Sequence, residues 1–122
     1  LHRVLLPISS HPPSQPAIDA ATVLVSQLSK PPVTMTLIHA GAEADVETLA
    51  LPQKADWSWN QLFGKGDPVE WILAAGAEFD VDVIVMATKG QDSLLDMLRG
   101  STTERVLRGA RCPLLAIPAP LI

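Results

Sequence analysis

Two short glycine-containing segments near the C-terminal end carry residue types that bind phosphate groups. Lys89-Gly90 follows a buried apolar run, and nine residues separate it from Gly100-Ser101-Thr102, which opens a predicted helix. Glycine lets backbone amides approach an oxyanion closely, and the first amides of a helix lack partners within the helix. The helix dipole favours negative charge at the same place. The spacing therefore predicts a phosphate at Gly100 to Thr102, with the Lys89 ammonium as a second contact.

The same segments also have a purely structural interpretation. Ser101-Thr102-Thr103-Glu104 is a capping box, so Ser101 is needed at the helix start whether or not a ligand binds. Gly100 then only turns the chain, and Lys89 is a solvated loop lysine. The spacing by itself leaves the two interpretations open.

Charge is distributed unevenly along the chain, although the net charge is only −4. Residues 43–82 contain nine acidic residues and two lysines, whereas residues 89–111 contain five basic and three acidic residues. A small anion is therefore expected to prefer the C-terminal third. The overall acidity, with a pI of 5.2, argues against a general nucleic-acid binder, because such proteins are usually basic.

The remaining reactive side chains form no catalytic or metal-binding pattern. His2, His11 and His39 lack the spacing of metal ligands, and the single cysteine, Cys112, has no second thiol beside it. His39 ends an apolar strand, where a hydrogen-bonded structural histidine is expected rather than a catalytic base. Cys112 precedes Pro113 at a turn, where a small buried residue fits. We therefore expect no catalytic residue, no metal site and no redox role.

The composition indicates one folded domain over residues 1–122. Hydrophobic residues make up 48% of the chain and charged residues 18%, which excludes intrinsic disorder. The longest wholly apolar runs, such as Val83–Ala87, are far shorter than the roughly 20 residues that span a bilayer, so no membrane-spanning helix is expected. With one cysteine no intrachain disulfide forms, and we expect a cytoplasmic protein.

Apolar runs and turn signals alternate along the chain. The predicted strands cover Arg3–Ile8, Val33–His39, Trp57–Phe63, Val81–Ala87 and Leu114–Ile117. The predicted helices cover Pro16–Ser29 and Ala42–Ala50 and begin again at Asp67 and Ser101, with further helical turns between Thr88 and Gly100. This alternation predicts one α/β domain around a mainly parallel sheet. Ligands bind such sheets beyond the C-terminal ends of the strands.

Hydrophobic spacing predicts which face each element buries. The first helix is expected to bury Ala17, Ala21, Leu24 and Leu28, and the last helix Val106, Leu107 and Ala110. The third strand is expected to have one face that is covered by the rest of the protein, and this face carries Trp57, Trp59, Gln61 and Phe63.

The residues at the strand ends closely resemble the signature of the universal stress protein (UspA-like) family. Met86-Ala87-Thr88-Lys89-Gly90, nine further residues and Gly100-Ser101-Thr102 follow its pattern of Gly-x-x-Gly, nine residues, and Gly-Ser/Thr. The resemblance extends to the segments Arg3-Val4-Leu5-Leu6-Pro7, Leu37-Ile38-His39-Ala40, Gly66-Asp67-Pro68 and Cys112-Pro113-Leu114-Leu115. It covers nearly all of the chain except residues 41–63.

This resemblance implies a fold, a partner and a ligand. The fold is a doubly wound, five-stranded parallel sheet in the order 3-2-1-4-5 with helices on both faces; the partner is a second copy of the chain. One subgroup of the family binds ATP. Carried over by position, the adenine end is lined by Pro7, Ile8, Ser9 and Ala40. The ribose and phosphates are lined by Met86, Ala87, Lys89 and Gly90, and the phosphates are held by Gly100, Ser101 and Thr102.

Two positions depart from the pattern of the ATP-binding members. Ser9 stands where those members have an aspartate, and Ala87 replaces the first glycine of the signature. Each departure is expected to weaken binding by about 1 kcal/mol. The chain has no Walker A sequence and no evident carboxylate for Mg²⁺ at these loops, so rapid hydrolysis is not expected.

Three functions stay open from the sequence. The leading one is a cytoplasmic, dimeric stress-response module that binds ATP or another adenine nucleotide, with or without Mg²⁺, and does not hydrolyse it rapidly. The second is a dimeric interaction module whose site has lapsed through Ser9 and Ala87, and the third is a slow ATPase. The apolar last strand, Leu114–Ile117, lies at a sheet edge in the implied order, which favours pairing with another chain. The resemblance implies that this strand pairs with its twin across a two-fold axis.

Overall fold

The computed structural model describes residues 2–9, 14–40, 48–88 and 102–118. Within these ranges the strands and helices follow the predicted order, except that the second and third strands follow each other without a described helix between them. The strands are β1 (Arg3–Pro7), β2 (Val33–Ala40), β3 (Trp57–Gly64), β4 (Val83–Thr88) and β5 (Leu114–Pro118). The helices are α1 (Gln15–Leu28), α2 (Pro68–Glu78) and α3 (Thr102–Gly109).

The described strands form one five-stranded sheet in the order β3-β2-β1-β4-β5. Every neighbouring pair is parallel. This is the 3-2-1-4-5 order that the resemblance implied. The chain moves outward from β1 to β3 on one side and from β4 to β5 on the other, so the strand order reverses between β1 and β4.

Two apolar clusters cover the two faces of the sheet. The first cluster packs α1 against Leu6 and Val85, and the second packs α2 and α3 against Leu5 and Ile84. Neighbouring residues of one strand enter opposite clusters because side chains alternate across a sheet. Burial on both faces is what a central parallel strand requires, and it explains why these strands are almost uninterruptedly apolar.

The start of α2 follows from its local sequence. The Asp67 carboxylate accepts a hydrogen bond from the Glu70 N–H at 3.2 Å, and Pro68 occupies the first turn, where no amide partner is needed. The predicted helix start at Asp67 is therefore confirmed. This cap places the N-terminus of α2 just after β3, at the C-terminal edge of the sheet.

Two helical burial predictions are wrong at single residues. Leu28 is 64% exposed, because it is the last residue of α1 and lies beyond the part of the sheet that covers the other apolar residues of this helix. Leu107 is 48% exposed, while Thr103 is buried. The inner face of α3 is centred between Thr103, Val106 and Ala110, so that Leu107 lies at its rim.

The strand β3 is confirmed, but its predicted covered face is only half covered. Trp57 and Trp59 are half-buried against the first cluster, and the Trp59 Nε1–H donates to the Pro52 carbonyl at 2.9 Å. Gln61 and Phe63 lie beyond this cover, and both are exposed. A strand at the edge of a sheet can be exposed over part of its length.

The predicted helix at Ala42–Ala50 does not extend to its expected end, because residues 48–50 are not helical. The rest of that helix, and the helical turns expected between Thr88 and Gly100, lie outside the described residues. Among the helices that the structure describes, none is both long and apolar enough to cross a membrane.

Candidate functional site

A crevice opens between β1 and β4 at their C-terminal ends. The backbone ladder between β1 and β4 ends at the pair Leu5 and Ile84, whereas the ladder between β1 and β2 runs on to Pro7 and Ile38. Beyond Leu5 the two central strands part, because their connections leave to opposite faces of the sheet. In parallel α/β sheets such a reversal of strand order is where ligands bind.

One wall of the crevice, Ile8 and Ser9, is fixed by hydrogen bonds to three other residues. The Ile8 N–H donates to the Ile38 carbonyl at 2.8 Å, and the Ile8 carbonyl accepts from the His39 Nδ1–H at 2.8 Å. The Ser14 hydroxyl accepts from the Ser9 N–H at 2.9 Å and donates to the Ser9 carbonyl at 2.8 Å. The backbone positions of Ile8 and Ser9 are therefore fixed.

The expectation that His39 is a structural residue is confirmed. A carbonyl oxygen only accepts hydrogen bonds, so the bond to Ile8 requires a proton on Nδ1. The ring also meets Phe63 edge to face, with 6.3 Å between ring centroids. His39 thus joins the C-terminal ends of β1, β2 and β3.

The opposite wall, at the end of β4, offers mainly backbone. The Met86 side chain is buried in the second cluster, and the Ala87 methyl packs against the first. The Ala87 methyl is therefore engaged with the core beneath α1. Both residues can present peptide groups to a ligand, but their side chains belong to the core.

Thr88 is a candidate site residue that the sequence interpretation did not single out. Its side chain is 3% exposed, and its Oγ1 finds no hydrogen-bond partner among the described residues. An unpartnered buried hydroxyl costs about 1–3 kcal/mol, so a ligand, a loop amide or a water at this position is stabilising. The available signal was its place as the last residue of a buried strand, within the glycine signature.

The N-termini of α2 and α3 lie at the same edge of the sheet, and an ion pair joins them. Arg105 of α3 is 3.0 Å from the Asp67 carboxylate that caps α2. Arg105 thus holds the start of α3 beside that of α2. Thr102, the first residue of α3, is exposed at this edge.

The structure brings the described members of the predicted site to one edge. They are Pro7, Ile8, Ser9, Ala40, Met86, Ala87 and Thr102. Pro7 to Ser9 end β1, Ala40 ends the neighbouring β2, Met86 and Ala87 approach the end of β4, and Thr102 begins α3. The other predicted contacts, Lys89, Gly90, Gly100 and Ser101, lie outside the described residues, as does His11.

Two groups with perturbed pKa values stand at the opposite edge, before β4 and β5. Hydrogen bonds from the backbone N–H groups of His2 and Arg3 hold the pKa of Asp82 below its ordinary value. Burial, and to a lesser extent the Asp82 carboxylate, raises the pKa of the Cys112 thiol, so the thiol stays protonated at neutral pH. The Asp82 carboxylate ties the start of β1 to the start of β4, and both groups are remote from the crevice.

Comparison with known proteins finds one family. The model of the "Universal stress protein family" matches residues 61–118. A universal stress protein of Methanocaldococcus jannaschii is 38% identical over 56 residues, which are 46% of this chain and 33% of that protein. A universal stress protein of Methanothermobacter thermautotrophicus is 38% identical over 61 residues, which are 50% of this chain and 41% of that protein. The matched segments thus span less than half of each relative.

Solved structures share the whole fold at low sequence identity. UspA of Lactobacillus plantarum has a TM-score of 0.67 at 17% identity, over 95% of this chain and 97% of that one. A universal stress protein in complex with cAMP has a TM-score of 0.62 at 16% identity, over 98% of both chains. A family protein of Arabidopsis thaliana with AMP bound has a TM-score of 0.65 at 12% identity, over 98% of this chain and 93% of that one.

Proposed function

This chain belongs to the universal stress protein family, and from that premise we propose that it binds an adenine nucleotide in the crevice between β1 and β4. The bound nucleotide acts as a switch, because it stabilises whichever dimeric or partner-docking state it fits better. The protein is in this proposal a cytoplasmic binding and signalling module of the stress response and not an enzyme.

The observation that carries the proposal is the parting of β1 and β4 beyond Leu5 and Ile84. It leaves an opening at the edge where the ends of β1 and β2 and the start of α3 converge. A planar base and a phosphate chain need such an arrangement, with one rigid wall and a helix N-terminus opposite it. The hydrogen bonds to Ile8 and Ser9 supply the rigid wall.

Each part of the nucleotide has a proposed set of contacts. The adenine lies against Pro7, Ile8 and Ala40, and the Ser9 hydroxyl forms one hydrogen bond at the same end. The ribose and first phosphate meet the backbone of Met86, Ala87 and Gly90. The outer phosphates are held by Lys89, Gly100, Ser101 and Thr102.

The relatives support an adenine nucleotide as the ligand class. One structure with this fold contains cAMP and another contains AMP. Both are below 25% identical to this chain, so they support the proposal through the shared fold. The residue assignments rest instead on the glycine signature and on the strand ends that the structure describes.

Calorimetric titration of nucleotide-free protein tests the proposal. ATP, AMP and cAMP are titrated separately, with and without Mg²⁺, into protein checked for co-purified nucleotide. We expect saturable binding with one site per chain in the micromolar range for at least one of them. No heat at millimolar concentration of all three nucleotides contradicts the proposal.

A substitution at the phosphate end separates binding from folding. Gly100→Val is expected to abolish binding, because the added side chain occupies the place of the phosphate. Gly76→Ala serves as its control, since Gly76 lies in α2 and an added Cβ has only ordinary contacts there. The control should bind the nucleotide as the wild type does. Equal binding by Gly100→Val and the wild type refutes the assignment.

A dimeric interaction module is the second candidate, and Ser9 is the observation that favours it. The Ser9 hydroxyl carries no charge where ATP-binding relatives have a carboxylate, so the adenine end lacks one strong contact. In this case Gly100→Val changes only stability. A slow ATPase is distinguished by a time course of phosphate release that Lys89→Ala abolishes.

The homodimer is proposed to form through the outer edge of β5. The Ile84 N–H donates to the Pro113 carbonyl at 3.0 Å, so Leu115 and Ile117 bond to β4, while Leu114 and Ala116 direct their backbone groups outward. Light scattering should give twice the chain mass of 13.0 kDa. Ala116→Pro removes an outward N–H and should yield monomers at micromolar concentration. A wild-type mass of one chain at micromolar concentration contradicts this interface.

A further inference from the structure

Like β5, β3 lies at an edge of the sheet that the described strands form. β3 pairs with β2 at every position from Trp57, opposite Val33, to Gly64, opposite Ala40, without a bulge. No strand of the described residues pairs with its other side. At eight residues it is longer than the roughly five or six residues typical of strands.

The backbone groups that face outward can be identified from one hydrogen bond. The Val33 N–H donates to the Asp56 carbonyl at 3.0 Å, so this carbonyl points toward β2. Peptide groups alternate in direction along a strand. The even-numbered residues of β3 therefore bond to β2, and Trp59, Gln61 and Phe63 direct their N–H and C=O groups outward. These three residues form the outward row.

The residues of β3 itself carry none of the sequence features that commonly protect an edge strand. Edge strands are commonly protected by lysine, proline, bulges or short length. The sequence Trp57–Gly64 contains no charged residue and no proline. Phe63 is 36% exposed and lies in the outward row, so an apolar side chain stands beside the free backbone groups.

We propose that the outer edge of β3 pairs antiparallel with β3 of a second copy of the chain, with Gln61 of one copy opposite Gln61 of the other. The outward rows of two copies bond only when odd-numbered residues face odd-numbered ones. This register satisfies that condition and makes the interface symmetric about a two-fold axis.

The side chains are self-complementary in this register. Trp59 lies opposite Phe63, and the symmetry repeats this aromatic pair on the other side of the axis. The two Gln61 amides meet at the axis on the same face, where each has a donor and an acceptor for the other. A different protein partner would need its own matching sequence, whereas a second copy already has it.

The side chains favour this register over the one centred on Asn60. Both registers form the same number of interchain backbone hydrogen bonds, because with Asn60 at the axis Trp59 faces Gln61 and the Phe63 N–H meets the Trp57 carbonyl. The Trp57 N–H is not available in either register, since it donates to the Lys54 carbonyl at 3.1 Å. With Gln61 at the axis the two amides meet each other, whereas with Asn60 at the axis each Gln61 amide lies opposite the indole of Trp59.

A cysteine at the axis tests the register directly. Residues in a hydrogen-bonded antiparallel pair have Cα atoms about 5.5 Å apart, which is within the range of a disulfide. In a Cys112→Ser background, Gln61→Cys should form a disulfide-linked dimer under mild oxidation of the folded protein. Asn60→Cys is the matched control, since it is also exposed but lies opposite Leu62. Equal cross-linking at both positions, or none at Gln61→Cys, overturns the proposal.

The solution mass provides a test that does not depend on engineered cysteines. The Ala116→Pro variant, from which the β5 interface is removed, should still form a dimer at high chain concentration. Adding Gln61→Pro removes an outward N–H of β3 and should leave single chains, with circular dichroism verifying the fold. A folded Ala116→Pro variant that stays at 13.0 kDa up to millimolar concentration overturns the proposal. The outcome is independent of nucleotide binding and of pairing through β5.

Discussion

The Nδ1 atom of His39 lies 2.8 Å from the carbonyl oxygen of Ile8, so that a side chain joins the ends of β2 and β1 at the crevice. Ile8 is also bonded through its N–H to Ile38, and the next residue, Ser9, is bonded to Ser14. The wall of the proposed nucleotide site is thus held by side chains outside the glycine signature. Its geometry depends on residues that need not touch the ligand.

Replacing His39 by leucine should lower both stability and nucleotide affinity. Ile8 is buried, and its carbonyl would lose a partner, which costs about 1–3 kcal/mol of the free energy of unfolding. His39→Gln, which keeps a donor, is expected to recover part of this loss. Urea unfolding measures the stability and calorimetry the affinity. A His39→Leu variant as stable as the wild type would show that the bond is not needed.

Gly64 allows a close approach between β3 and α2. A Cβ at Gly64 would lie 2.7 Å from Cε2 of Trp71, and an indole ring cannot yield as the end of a flexible chain can. Gly64→Ala is therefore expected to destabilise the protein by about 1–3 kcal/mol, as overpacking generally does. Thermal or urea unfolding measures the change.

The matched control for this prediction is Gly76→Ala. A Cβ at Gly76 has its nearest neighbour at 3.7 Å, and the residue lies in α2, where alanine is favoured over glycine by about 1 kcal/mol. This variant should be as stable as the wild type or more so. Equal effects of the two alanines would contradict the role assigned to Trp71.

Thr88→Val should stabilise the ligand-free protein. The substitution keeps the shape of the side chain and removes a buried hydroxyl without a partner among the described residues, so a gain of about 1 kcal/mol is expected. If the Thr88 hydroxyl forms a hydrogen bond with the bound nucleotide, or with a loop that contacts the nucleotide, the same variant should bind ATP more weakly. A loss of stability in the ligand-free variant would show that the hydroxyl already has a partner.

The succession of strands and helices could be predicted because it follows from local patterns, whereas the strand order was implied by the resemblance to the family. The buried run at Val83–Thr88, the cap at Asp67 and the glycine signature each specify one element. Leu107 and Phe63 were misassigned because periodicity gives the direction of a side chain but not what lies beyond it. Their exposure depends on where the neighbouring helix or loop ends. The bond between His39 and Ile8 joins residues 31 apart in sequence, and no local pattern specifies its geometry.

Asp82 should make stability depend on pH in the acid range. Backbone N–H groups of His2 and Arg3 donate to its carboxylate and hold its pKa below the ordinary 3.8. A lowered pKa contributes stability above the unfolded-state value, and this stability is lost as the pH falls through the folded-state value. Asp82→Asn should therefore be less stable than the wild type at neutral pH, and the difference should shrink in acid. A difference that is constant from neutral to acid pH would contradict this role.

Restoring the family's residues at Ser9 and Ala87 should strengthen nucleotide binding unequally. Ser9→Asp places a carboxylate at the adenine end, where the backbone is already fixed by Ser14, and a gain of about 1 kcal/mol corresponds to a few-fold lower Kd. Ala87→Gly should gain less, because the Ala87 methyl packs against the core and its removal also costs buried apolar surface.

The comparison requires four proteins: the wild type, each single variant and the double variant. Calorimetric titration with ATP gives the Kd of each, and urea unfolding gives its stability. We expect the tightest binding in a variant that contains Ser9→Asp, and we expect lower stability wherever Ala87→Gly is present. Tighter binding from Ala87→Gly alone than from Ser9→Asp alone would show that the methyl, and not the missing carboxylate, limits the site.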